Sequence, residues 1–270
     1  MAASINEAEA KYKSEEGWNS LMLDHFVLYC DDLEGAINHI ENLTGVRPVF
    51  GGKHIGNGTH NAFLSLVDNN SSTSSGQFPP IYLALLAKDP DQAEFGDIKP
   101  RLSFNKHSSL RGKIVHWAAL TPRDELPDYV EKVNSNAAWS SKNWPELGQP
   151  LEIEGNTPDN QTIRWILSVP VTQKPLPGDG LLPYLTDWQD TILNGLHPGQ
   201  TSPKGIVLKA VTLRHPNWPM NVQTALDNFG LFSSDTNGGV PVTVEQSMRG
   251  VPEIILHLTT PNGDVELSEF

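Results

Sequence analysis

The sequence predicts an α+β fold in which one strand–helix–strand unit is used three times. Apolar strand openings recur about ninety residues apart, at residues 23–30 (LDHFVLYC), 114–121 (IVHWAALT) and 207–214 (VLKAVTLR). Each opening is followed by an apolar pattern of helical period. A fixed long spacing of this kind marks repeated modules rather than chance similarity.

The first copy follows a polar arm, residues 1–20. After strand 23–30, Asp31 and Glu34 form an Asp-x-x-Glu helix start, Leu33, Ile37, Ile40 and Leu43 mark one helical face, and Gly45 supplies a left-handed stop. Residues 51–59 (GGKHIGNGT) are dense in glycine and fit either an extra, bulged strand or a loop that lets backbone approach a ligand. Residues 61–67 alternate as a strand, 68–80 form a Ser/Asn/Gly/Pro loop, and 81–87 read as another strand.

In the second copy Thr121 is placed to cap a helix, with Pro122 first inside it and Asp124 in its opening turn, ahead of Leu126, Tyr129, Val130 and Val133. Strand-like runs follow at 161–169 and 181–188. The third copy carries Val222, Ala225, Leu226 and Phe229 on its helix and Gly230 as its stop. Its strands fall near 240–245, 253–259 and 264–267, with an Asn262-Gly263 turn. Expected boundaries are 1–20, 21–112, 113–204 and 205–270. Residues 88–112 and 134–160 read as long polar loops, more often binding rims or lids than spacers.

Nineteen Lys and Arg against 32 Asp and Glu leave a formal charge of −13, which opposes nucleic acid and anionic lipid, and no basic run offsets it. One cysteine, Cys30, precludes an internal disulfide and points to a reducing, cytoplasmic setting. The arm lacks an apolar signal core and no window reaches the ~18 apolar residues of a membrane span. A small-molecule partner is therefore expected, and a homodimer is left open. Gly-x-Ser-x-Gly, His-Glu-x-x-His, P-loop and Rossmann fingerprints are all absent.

Aligning the copies puts His25 and His116 at one position and Ala210 at the third. Paired imidazoles on equivalent strands suit a metal between modules, or else two hydrogen-bonded core histidines. His54, Thr59, His60 and Asn61 cluster in the glycine-rich stretch. Arg164 beside Trp165 and Asp187 beside Trp188 suit a pocket lining or a core edge.

The run LDHFVLYCDDLEGAINHIENLTGVRPVFGGKHIGNGTHNAFLSL resembles the opening of the glyoxalase-like branch of the vicinal oxygen chelate superfamily. HWAALT, TIRWILSVP and LLPYLTDWQDT resemble its second module, and KAVTLRHPN with NGDVEL its C-terminal extension. The resemblance implies paired βαβββ modules whose curved mixed sheets form a cleft, with a third βαβββ-like module after them. It implies a divalent metal held by His25 and His116, with Asp187 as a further ligand, and proton transfer by His54 or His60. Thr59, Asn61, Arg164 and Trp188 would then bind substrate. Where many relatives carry a carboxylate in strand 81–85 this chain has Ala84, which weakens any metal site. The implied activity is a lyase or isomerase acting on a small carbonyl- or oxygen-chelating metabolite. The alternative is a metal-free protein that binds or sequesters a small aromatic or carbonyl ligand.

Overall fold

β1 (Met22–Cys30) and β5 (Lys113–Leu120), the openings of the first two copies, lie antiparallel side by side at the centre of an eight-stranded sheet. The computed structural model describes residues 21–54, 58–67, 80–91, 112–137, 144, 146–157, 159, 161–168, 176–228 and 240–270. Beyond β1 come β4 (Tyr82–Lys88), parallel to it, then β3 (Thr59–Ser65) and β2 (Val49–His54). Beyond β5 the same series repeats with β8 (Tyr184–Asp187), parallel, then β7 (Thr162–Ser168) and β6 (Leu151–Asn156). The order is β2-β3-β4-β1-β5-β8-β7-β6, and the sheet curves until its edge strands β2 and β6 approach within 8 Å.

The glycine-rich stretch thus supplies the extra strand, β2. β6 lies inside residues 134–160, read above as a loop; its alternation of Leu151 and Ile153 with Glu152 and Glu154 runs for only four residues before Gly155, the shortest run that signals a strand. Most of the other long segment, residues 92–111, lies outside the described residues, as do Phe229 and Gly230.

One face of the sheet packs on α1 (Leu33–Thr44) and α2 (Leu126–Asn134), burying Phe26, Leu28, Leu83, Leu85 and Trp117 against Ile37, Ile40, Leu126 and Val130. Each of these fully buried aliphatic side chains contributes about 1.5–3 kcal/mol relative to exposure. α1 ends as expected on Gly45, at φ 78°, but its N-cap is Asp32 rather than Asp31; the Asp32 carboxylate accepts the Glu34 N–H at 3.2 Å. α2 also starts later than expected. Thr121 closes β5 instead, its hydroxyl donating to the Thr186 carbonyl at 3.2 Å, and Pro127 occupies the first turn.

The third copy forms a second sheet of β9 (Val207–His215), β10 (Val242–Gln246), β11 (Glu253–Thr260) and β12 (Gly263–Leu267), with α5 (Pro219–Asn228) on it. Two short helices, α3 (Asp190–Leu193) and α4 (Pro198–Thr201), precede it. Its chain order is β-α-β-β-β, yet β10 lies parallel directly beside β9, the place the last strand takes in the other two copies. Leu213, Val222 and Leu256 join the same buried cluster as Leu28 and Ile40.

The repeat is most exact as a backbone irregularity. An extra residue interrupts the pairing at Asp24 in β1, at Val115 in β5 and at Lys209 in β9, the same place in each copy. A bulge breaks the strict in–out alternation. Leu23 and Phe26 both pack toward the helices, so Asp24 and His25 between them share the other face; Val115 and His116 do the same between Ile114 and Trp117.

Candidate active site

The concave face encloses a cavity of about 160 Å3 to which strands of both modules contribute: His25, Tyr82 and Ala84 from one, His116, Tyr184 and Trp165 from the other. The two histidines therefore do meet one hollow. His25 stacks on Tyr82, ring centroids 4.7 Å apart, and His116 lies 4.8 Å from the Tyr184 ring. Burial, with the His25 charge second, pushes the His116 imidazole down to about 3, so it is neutral at ordinary pH.

The strongest polar feature is Asp24, fully buried beside His25. Its carboxylate oxygens lie 2.7 Å from His25 Nδ1, 2.9 Å from His197 Nε2 and 3.0 Å from Trp188 Nε1. A carboxylate only accepts, so all three nitrogens donate. The Gly199 N–H donates to His197 Nδ1 at 3.1 Å, which fixes that ring as the Nε2–H tautomer. Burial alone would raise the Asp24 value, but the hydrogen bonds from His197 and His25 outweigh it and hold the carboxyl well below the usual range. His25 consequently presents Nε2, the nitrogen Asp24 does not use, in a ring that lines the cavity.

The glycine-stretch residues divide by strand face. His54 Nδ1 lies 2.8 Å from Thr59 Oγ1, and Asn61 Nδ2 donates to His54 Nε2 at 3.0 Å. This makes His54 an acceptor on Nε2 and a donor on Nδ1; burial, then the His60 charge, pushes it down to about 4. Asn61 and His54 line the cavity. His60 does not: it alternates with Asn61 onto the helix-side face, across from Lys53, and is withdrawn as a proton-transfer group for this cavity.

Two further expectations are corrected by the same alternation. Arg164 points outward and pairs with Glu154 at 2.9 Å while Ile163 and Trp165 face in, so Arg164 is not a substrate contact here. Asp187 lies between the inward Thr186 and Trp188; its carboxylate accepts the Asp124 and Gln189 N–H groups at 2.9 and 2.8 Å, clamping a loop instead of facing an ion. Trp188 reaches the cavity, with its indole N–H committed to Asp24.

The donor set for a divalent metal is incomplete. His25 and His116 are two donors, Ala84 faces the cavity where a carboxylate was expected, and no group of three His, Cys, Asp or Glu suited to an ion occurs among the described residues. In the second module the register position matching Ala84 is Tyr184, a buried phenol whose proton burial holds more tightly. These residues do not fit the metal the resemblance implied.

What the cavity offers instead is hydrogen bonding. Tyr184 Oη, Thr186 Oγ1 and Asn61 Oδ1 are buried, belong to lining residues and have no hydrogen-bond partner among the described residues. Leaving such groups unmet costs about 1–3 kcal/mol each.

Sequence reasoning missed Asp24 and His197. Period-two alternation puts Asp24 opposite His25, and only the bulge brings them together; His197 comes from a linker 172 residues beyond His25 in the chain and carries no local signal.

A family model described as a glyoxalase-like domain matches residues 23–227. No curated protein matches the chain. Among solved structures, a hypothetical protein from Staphylococcus aureus superposes with TM-score 0.51 at 15% identity, covering 93% of this chain and 88% of that one. Methylmalonyl-CoA epimerase of Streptomyces coelicolor, in complex with 2-nitronate-propionyl-CoA, gives TM-score 0.39 and 18% identity over 63% of this chain and 96% of that one. The epimerase of Mycobacterium tuberculosis gives 0.33 and 15% over 66% and 93%. At 15% identity the likeness to the Staphylococcus aureus protein is one of fold alone.

Proposed function

The chain belongs to the glyoxalase-like domain family, and on that footing we propose that it is a lyase- or isomerase-type enzyme moving a proton on a small oxygen-bearing metabolite. The observation that carries this reading is the 2.7 Å contact between Asp24 and His25 at the cavity wall. An ionised carboxylate on Nδ1 fixes the imidazole tautomer, leaves Nε2 as a base and stabilises the imidazolium formed when it takes a proton. A proton on a carbon next to a carbonyl is the group within its chemistry. The Tyr184 and Thr186 hydroxyls are suited to hydrogen-bond the oxygen on which negative charge then develops. No step needs a metal ligand beyond these residues.

Hydrogen–deuterium exchange followed by NMR tests this, using neutral 2-hydroxy ketones and 1,3-dicarbonyls in D2O with chelator present. Wild type is expected to catalyse exchange, and His25→Gln to lose it by about 100-fold or more. Asp24→Asn should lose it by about tenfold or more, because the amide presents a different hydrogen-bond pattern to Nδ1. Ala84, in the place of a carboxylate, favours a second reading, a metal-free protein that sequesters its ligand. Saturable binding with no exchange on any compound would establish that reading in place of the first.

A further inference from the structure

We propose that the ligand of this cavity is an uncharged, flat, ring-bearing oxygen compound, its ring against Phe63 and Trp165 and its oxygens on Tyr184, Thr186 and Asn61. The inference rests on the site described above and specifies its substrate class.

Size, surface and charge each contribute. A cavity of about 160 Å3 holds on the order of ten non-hydrogen atoms at about 15 Å3 each. Tyr82 and Trp188 line the cavity as buried rings, whereas Phe63 and Trp165 are only half-buried and line it from opposite modules.

Both exposed rings are seated in the same way. Phe63 lies over Gly51 of β2, where a Cβ would stand 2.2 Å from a ring carbon. Trp165 lies over Gly155 of β6, where a Cβ would stand 3.4 Å from the indole. A glycine in each edge strand thus gives each module one flat aromatic wall.

The charge pattern disfavours ions of either sign. Among the described residues lining the cavity the one Lys or Arg is Lys53, whose side chain leaves on the helix-side face with His60 and pairs with Asp89 and Asp91. An anionic ligand would meet no free cation and would approach the buried Asp24 carboxylate. A cationic one would find no carboxylate among those lining residues, and the oxygens of Asp24 are already taken up by His25, Trp188 and His197. Three unmet polar atoms, from a phenol, a hydroxyl and an amide oxygen, match a ligand that carries two or three oxygens and no net charge.

Isothermal titration calorimetry of the full chain tests the class with matched pairs: coumarin against coumarin-3-carboxylate, and 4-methoxyacetophenone against 4-acetylbenzoate. The neutral member of each pair is expected to bind about tenfold or more tightly than its carboxylate. Trp165→Ala should weaken the neutral compounds about tenfold, and Tyr184→Phe, which keeps the ring packed on His116, about fivefold. Thermal unfolding of each variant verifies that it is folded.

Equal or preferred binding of the carboxylates, no binding of either neutral compound, or unchanged affinity in both folded variants would overturn the assignment. The two claims fail separately. Selective binding of neutral rings without carbon-proton exchange defeats only the acid–base reading, whereas exchange confined to charged substrates defeats only the ligand class.

Discussion

Asp24 shows how a charge is kept inside this protein by hydrogen-bond donors. Three N–H donors, from β1, from the end of β8 and from the α4 cap, share the load of desolvation. His116, nearby, is the opposite case, an imidazole that burial keeps neutral. Above pH 6.5 its ring is neutral in folded and unfolded chains alike and pH has no leverage. Between 6.5 and about 3 the unfolded chain takes up a proton that the folded chain refuses, so stability falls as pH falls. By pH 4.5 the loss from this group is about 2–3 kcal/mol. Urea unfolding at pH 7.5 and 4.5 checks this: the drop should shrink in His116→Asn, and an identical drop would refute the assignment. Cys30 titrates far from this window, since burial, reinforced by Asp32 and Asp31, pushes its thiol up to about 12.

At the scale of the element, the bulge does what regular pairing cannot. In β1 it turns Asp24 onto the face of His25, and in β5 it sets Val115 and His116 on the cavity side together. β2 carries a further irregularity at Gly51, under Phe63 and Asn61. A methyl there would stand 2.2 Å from the Phe63 ring and 2.4 Å from Asn61 Oδ1, so both side chains must move. Gly51→Ala is expected to destabilise by about 1–3 kcal/mol, and Gly155→Ala, with ordinary 3.4 Å contact, by less than about 1. Urea midpoints of the two variants give the comparison; equal costs would mean that Phe63 is not held on that glycine.

At the scale of the whole molecule, the third copy is built into the first two. The Leu208 N–H donates to Leu66, the Ile114 N–H donates to Ser268, and Asn262 Nδ2 donates to the Asn42 carbonyl at the end of α1. Side chains of all three copies form one buried cluster. The expected consequence is one cooperative thermal transition with equal calorimetric and van't Hoff enthalpies. Separate transitions for the C-terminal sheet and the rest would contradict it. No helix among the described residues is long and apolar enough to cross a membrane.

By itself the sequence determined what short-range periodicity encodes: three strand openings, the faces of α1 and α2, the Gly45 stop and the equivalence of His25 with His116. Their meeting in one hollow is what the family resemblance implies; the duplicated pattern alone fits two hydrogen-bonded core histidines as well. Only the tertiary structure decided which side chains face inward, because a single extra residue in a strand reverses the alternation from which facing is read. The bulge brought Asp24 into the site, while regular alternation in β3, β7 and β8 turned His60, Arg164 and Asp187 out of it. The tertiary structure also brought in His197, since contact between residues so distant in sequence is fixed by packing and leaves no local pattern to read.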